Sequence, residues 1–174
     1  MKASDFFKGK WLGHPLHPAL VHIPVGLWPA ALVFDLLSHA GLGNVAVQLS
    51  FFCIVVGLLV ALLAVPAGIA DWSEIKKERP AWKLGVWHMG LNLLAAVFFA
   101  MNMGLRVGTF QTADVVQTPA IILTVIGVFL VSVSGYLGGQ MVYSHGVGVA
   151  RMSKKKWRIR AEKGGSNLPE EQKP

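Results

Sequence analysis

Cysteine is nearly absent. Cys53 stands alone among 174 residues, so no internal disulfide can form, and with no CxxCH run covalent c-type haem attachment is excluded. Inside an apolar stretch, this thiol reads as a small packing residue. Charge is scarce as well. Asp, Glu, Lys and Arg make up 14% of the chain, against roughly 25% in ordinary soluble domains, and the mean hydropathy is +0.53. These values exclude a soluble domain of this size and point to one compact membrane domain. HExxH, GxSxG and P-loop patterns are missing, which leaves hydrolytic chemistry without support. The alternating strand pattern of a membrane barrel is missing too.

Long apolar runs take their place. Four are visible, over about Ala19–Leu37, Val45–Ile69, Lys83–Leu105 and Thr118–Tyr143. Each is long enough as a helix to cross a hydrocarbon core of about 30 Å at about 1.5 Å per residue. The expected fold class is therefore all-α, an integral membrane four-helix bundle. The first run starts late and lacks a small-residue cleavage site, so it reads as a retained span rather than a signal peptide. No sequence repeat stands out, although the first and third runs each carry a histidine about one turn inside.

Loop charge sets the expected orientation. Lys2, Lys8 and Lys10 precede the first run, and Lys76, Lys77, Arg79 and Lys83 lie between the second and third. Residues 38–44 hold no Lys or Arg, and residues 106–117 hold only Arg106. The positive-inside rule then places both termini in the cytoplasm, as a multi-pass protein of a bacterial inner membrane. Trp11, Trp72, Trp82, Trp87 and Trp157 fall near that face as an aromatic belt, whereas Trp28 lies deeper, as a packing residue. Residues 1–18 read as an interfacial His-Pro segment, 19–150 as the membrane domain and 151–174 as a basic tail. The net charge of +7 concentrates in that tail. Arg151, Lys154, Lys155, Lys156 and Arg158 sit beside a membrane helix, where they suit anionic lipid headgroups rather than nucleic acid.

Five of the six histidines, His14, His17, His22, His88 and His145, fall at the cytoplasmic ends of the runs, and Asp71 joins them. Polar side chains at membrane depth mark functional sites by default. His22 and His88, each about one turn inside, are the central candidates for cofactor binding, with His145 next. Neutral imidazole ligates haem iron, zinc, copper and non-haem iron. A bis-histidine haem b needs two imidazoles at matching depth on facing helices. A non-haem Zn, Cu or Fe site would draw on His14, His17, His22, Asp71, His88 and His145 together. A scaffold without cofactor, whose histidines meet lipid or a partner, is the third reading. Gly26 lies one turn beyond His22 on its face and Asn92 one turn beyond His88. Ser132, Gly135 and Gly139 form a small face suited to close helix contact. On the far side, His39 stands at i+4 from Asp35 and can pair with it.

GHPLHPALVHIPVGLW, the ADW after the second run, WHMGLN on the third and GGQMVYSHGVGV after the fourth together resemble a bacterial family of four-helix membrane proteins, domain of unknown function 2231. The likeness spans about residues 13–150. It implies kinship with b-type cytochromes, hence haem and electron transfer, and a separate Rieske-type or other redox protein as partner. Apart from the resemblance, the lipid bilayer and a homo-oligomer are the other expected partners. Its pattern falls on His14, His17, His22, Asp71, His88 and His145.

Overall fold

The computed structural model describes residues 3–149 and 153–164. Every regular element among them is helical: α1 (Ala3–Phe7), a 3-10 turn (Lys10–Leu12), α2 (Leu16–Leu37), α3 (Gly43–Trp72), α4 (Pro80–Arg106), α5 (Thr118–Tyr143) and α6 (Lys154–Lys163). Three helical stretches are long and apolar enough to cross a membrane: Leu16–Trp72, Pro80–Arg106 and Thr118–Tyr143. The first has 57 residues and folds back on itself at Ala40 and Gly41, where the backbone leaves helical values. Gly41 and Gly43 carry the reversal at φ +104° and +58°, which glycine adopts without a Cβ clash.

Three of the long helices begin earlier than their apolar runs and two of these also end later, while α5 coincides with its run. α2 starts at Leu16, not Ala19, behind an extended Pro15. α4 starts on Pro80, where a proline with no N–H to satisfy fits the first turn. α3 runs on to Trp72. Hydropathy finds the part of a helix that lies in lipid, whereas its polar ends obey capping and proline rules. As a consequence His17, expected in the non-helical segment, lies in the first turn of α2.

α2 packs on α3 and α5, and α4 packs on α5 and α3, so α2 and α4 face each other across the bundle diagonal. The interior is lined by small residues, among them Ala31, Ala46, Ala67 and Ala95, around Trp28, Ile54, Phe99 and Val131. Helices approach closely where side chains are small, which is how packing drives association when lipid is as apolar as the core. Trp28 and Phe99 stack at the centre with ring centroids 4.3 Å apart. Each packs against a glycine of the neighbouring helix, Trp28 on Gly57 and Phe99 on Gly127. Outward faces carry large apolar residues such as Val33, Leu59, Leu62 and Phe129, all exposed.

The close-contact role expected of Gly135 and Gly139 falls elsewhere on α5. Neither has an atom within 4 Å of where a Cβ would stand, whereas a Cβ on Gly127 would stand 2.6 Å from the Phe99 ring. Gly127→Ala is therefore expected to lower stability by about 1–3 kcal/mol, the usual effect of overpacking. Gly135→Ala should be silent in the same thermal-unfolding assay in detergent. Equal unfolding temperatures for the two variants would contradict the packing described.

At the other end, the N-terminal segment folds onto the bundle. Lys8 pairs with Glu74 just beyond α3, and Lys10 pairs with Asp5. Trp11 stacks on Phe6 with centroids 5.8 Å apart. Trp72 donates its indole N–H to the Trp82 carbonyl at 3.1 Å, which joins the ends of α3 and α4.

Candidate functional site

Two histidines meet across the diagonal. His17 on α2 has Nδ1 3.0 Å from the Ala64 carbonyl oxygen of α3. A carbonyl only accepts, so Nδ1 carries the proton and donates it. The ring lies against Gly68, where a Cβ would stand 2.8 Å from Cε1. His88 on α4 repeats the arrangement on α5. Its Nδ1 is 2.8 Å from the Ser134 carbonyl oxygen, and its ring lies on Gly138, where a Cβ would stand 3.1 Å from Cε1. The two imidazole centroids are 6.4 Å apart with planes at 84°.

In both rings the proton is fixed on Nδ1, which leaves Nε2 as the accepting nitrogen. Metal-ligating histidines are commonly held this way, with the far N–H given to a carbonyl so that tautomer and ring angle are set. Asn92, one turn beyond His88, donates to His88 Nε2 at 3.1 Å. The same amide reaches Ser134 Oγ at 2.7 Å and the His88 carbonyl at 2.9 Å. Asn92 can therefore release Nε2 and keep other acceptors.

The remaining candidates are spread out. Asp71 is partly buried near the end of α3, within electrostatic reach of His17 and Lys8. His145 is partly buried just past α5, with its main-chain N–H on the Gln140 carbonyl at 3.2 Å. His14 is exposed, with Nδ1 3.1 Å from the Pro15 carbonyl. His22 is exposed on α2, and so is Gly26. The expected pairing of His22 with His88 is thus replaced by His17 with His88. Among the described residues, no three His, Cys, Asp or Glu side chains converge as a metal-holding group. Of the basic residues, Lys155 and Lys156 are exposed on α6 and Arg158 is partly exposed, whereas Arg151 lies outside the described residues.

A second polar layer lies at the opposite end of the bundle, and sequence reasoning had overlooked it. Asp35 does not pair with His39, whose Nε2 donates to the Val116 carbonyl at 2.8 Å. Asp35 is fully buried and forms a two-pronged ion pair with Arg106, itself 4% exposed. Arg106 reaches Oδ1 at 2.7 Å and Oδ2 at 2.8 Å. Thr124 donates to Oδ2 at 2.7 Å, and Ser50 donates to Oδ1. One carboxylate thereby ties α2, α3, α4 and α5 together. Asn102 joins through Thr124 Oγ1 at 2.8 Å. The 18 residues from His17 to Asp35 cover about 27 Å of helix, close to the hydrocarbon thickness of about 30 Å.

These features define an apolar helical membrane protein with paired imidazoles toward one end and a buried ion pair toward the other. The chain belongs to the family described as predicted membrane protein, domain of unknown function 2231, whose model matches residues 13–151. No curated protein and no solved structure matches it.

Proposed function

We propose that the protein is a membrane redox subunit of b-type cytochrome kind, with His17 and His88 as the two haem ligands. The observation that carries this reading is the adjacent pair of imidazoles, each with Nδ1–H given to a main-chain carbonyl and each seated on a glycine. His17 and His88 would hold the group, their imidazole centroids standing 6.4 Å apart. The donor set suits such a group: two neutral nitrogens held at matching depth on diagonal helices. A bound haem would supply one-electron chemistry. The chain's own part is to set the tautomer of both ligands, hold their ring angles and keep bulk water out of an apolar bundle. A Rieske-type or other separate redox protein, met at the face that carries the histidines, fits as its partner.

The same reading places four spans in a bacterial inner membrane with both termini cytoplasmic. Its support is the loop charge. With Arg106 drawn into the bundle, residues 107–117 and 38–44 hold no Lys or Arg, whereas Lys76, Lys77 and Arg79 are exposed between α3 and α4. Basic residues of α6 then lie at the cytoplasmic surface, each worth about 1 kcal/mol toward anionic lipid.

Two experiments check the proposal. Purified protein is expected to show a Soret band and a sharp α-band on reduction, at near one haem per chain. Metal analysis that finds stoichiometric zinc, copper or iron with no porphyrin would move the assignment to a non-haem site; neither cofactor would leave a scaffold. Separately, periplasmic reporters fused after Asn44 and after Asp114 should be active. A cytoplasmic readout at either would break the topology and divide the histidines between two faces.

A further inference from the structure

We infer that the chain is a fused dimer of one helical hairpin, α2–α3 and α4–α5, whose common axis passes between His17 and His88. Three contacts cross the diagonal between α2 and α4: His17 with His88, Trp28 with Phe99, and Asp35 with Arg106. The two members of each are 71 residues apart (17 and 88, 28 and 99, 35 and 106). Within the hairpins the correspondence continues. His17 binds the Ala64 carbonyl and lies on Gly68; His88 binds the Ser134 carbonyl and lies on Gly138. Trp28 lies on Gly57 and Phe99 on Gly127. On α3 and α5 the matching residues are 70 apart (57 and 127, 64 and 134, 68 and 138). A single residue of difference falls in the connectors.

Packing between helices obeys the same relation. An axis that exchanges α2 with α4 and α3 with α5 turns the α2–α5 contact into the α4–α3 contact, and both are present. Both hairpins begin at the histidine end, so the axis runs along the bundle. Residues that meet their own equivalents must sit on that axis, and the three pairs do so at three depths. In an unfused dimer the outer layer would set like against like, two acids or two bases buried face to face. Asp35 and Arg106 differ in sign at equivalent positions, and this divergence gives the two halves a complementary contact. Resting on the proposed function, a metal group held at the inner layer would take one imidazole from each hairpin.

Exchanging the members of a pair tests this in the full chain without reference to any cofactor. Asp35→Arg alone faces Arg106 with a second cation, and Arg106→Asp alone faces Asp35 with a second anion. Each single variant is expected to lose most of the monodisperse protein extracted in detergent. The exchange D35R/R106D restores opposite charges at equivalent backbone positions and should recover at least half of it. The milder exchange W28F/F99W should unfold within a few degrees of wild type, while Phe99→Trp alone, which sets two indoles together above Gly127, unfolds earlier. If both exchanges behave no better than the worse of their single variants, the equivalence of the hairpins is overturned. A wild-type protein without haem would refute the redox assignment and leave the exchange results standing.

Discussion

Arg106→Ala is expected to destabilise the bundle by about 3–5 kcal/mol, the range found when one partner of a buried ion pair is removed. Asp35 would be left fully buried, with Ser50 and Thr124 as its remaining donors. Its carboxylate would then be charged and unpaired in an apolar surrounding, or protonated and without the two-pronged contact. Because domains are stable by only about 5–15 kcal/mol, a loss of this size should appear as aggregation on extraction or a large fall in unfolding temperature. Asp35→Ala should do similar damage, since it leaves the guanidinium without its counter-charge. The double variant D35L/R106M separates charge from packing. Replacing a whole buried pair by apolar residues is often neutral or stabilising, so it should recover most of what either single variant loses. Stability in Arg106→Ala equal to wild type would show that the pair contributes nothing net.

The ion pair also shows where reading the sequence stopped. Asp35 was visible as an acid in an apolar run, and His39 at i+4 was the neighbour that helical periodicity offered. Arg106 was counted as a loop charge because it ends its run. Charged residues at membrane depth nearly always face inward and pair. Matching Asp35 with Arg106 by depth, the argument applied to the histidines, would have joined them. What one-dimensional periodicity cannot supply is lateral neighbourhood: Asp35 and Arg106 are 71 residues apart and meet only because α2 and α4 face each other.

At the histidine end the structure differs from the sequence reading in rotation. Apolar onset put the start of α2 at Ala19 and left His17 outside it. The helix starts at Leu16, and His17 and His22 are then five residues apart on one helix, about 140° around its axis. If His17 points inward, His22 cannot. Gly26 follows His22 outward, as a residue one turn on must. Helix type was legible because length and composition decide it. The hairpin repeat was written in the chain as well, as histidine, then an aromatic residue after ten others, then a charge after six more. Each of its positions is filled by a different residue type in the two halves except the histidines and glycines, so identity alone conceals it.

The rotation leads to the most discriminating experiment on the site. His17→Ala and His88→Ala are each expected to lower haem affinity at least as much as the about 10–100-fold seen when groups that merely orient a metal ligand are removed. His14→Ala, His22→Ala and His39→Ala should keep wild-type occupancy. His22 and His14 are exposed, and His39 holds the Val116 carbonyl at the other end. Gly68→Val should resemble His17→Ala although it removes no ligand, because its Cβ would stand 2.8 Å from Cε1 of the ring and drive it off the Ala64 carbonyl. Gel filtration of each variant separates a lost ligand from a lost fold. Added imidazole should restore part of the Soret band in His17→Ala, where a ring-sized space opens beside Gly68, and none in Gly68→Val, where valine fills it. Loss of haem in His22→Ala with retention in His17→Ala would reverse the inward and outward faces of α2 and, with them, the pairing on which the redox reading stands.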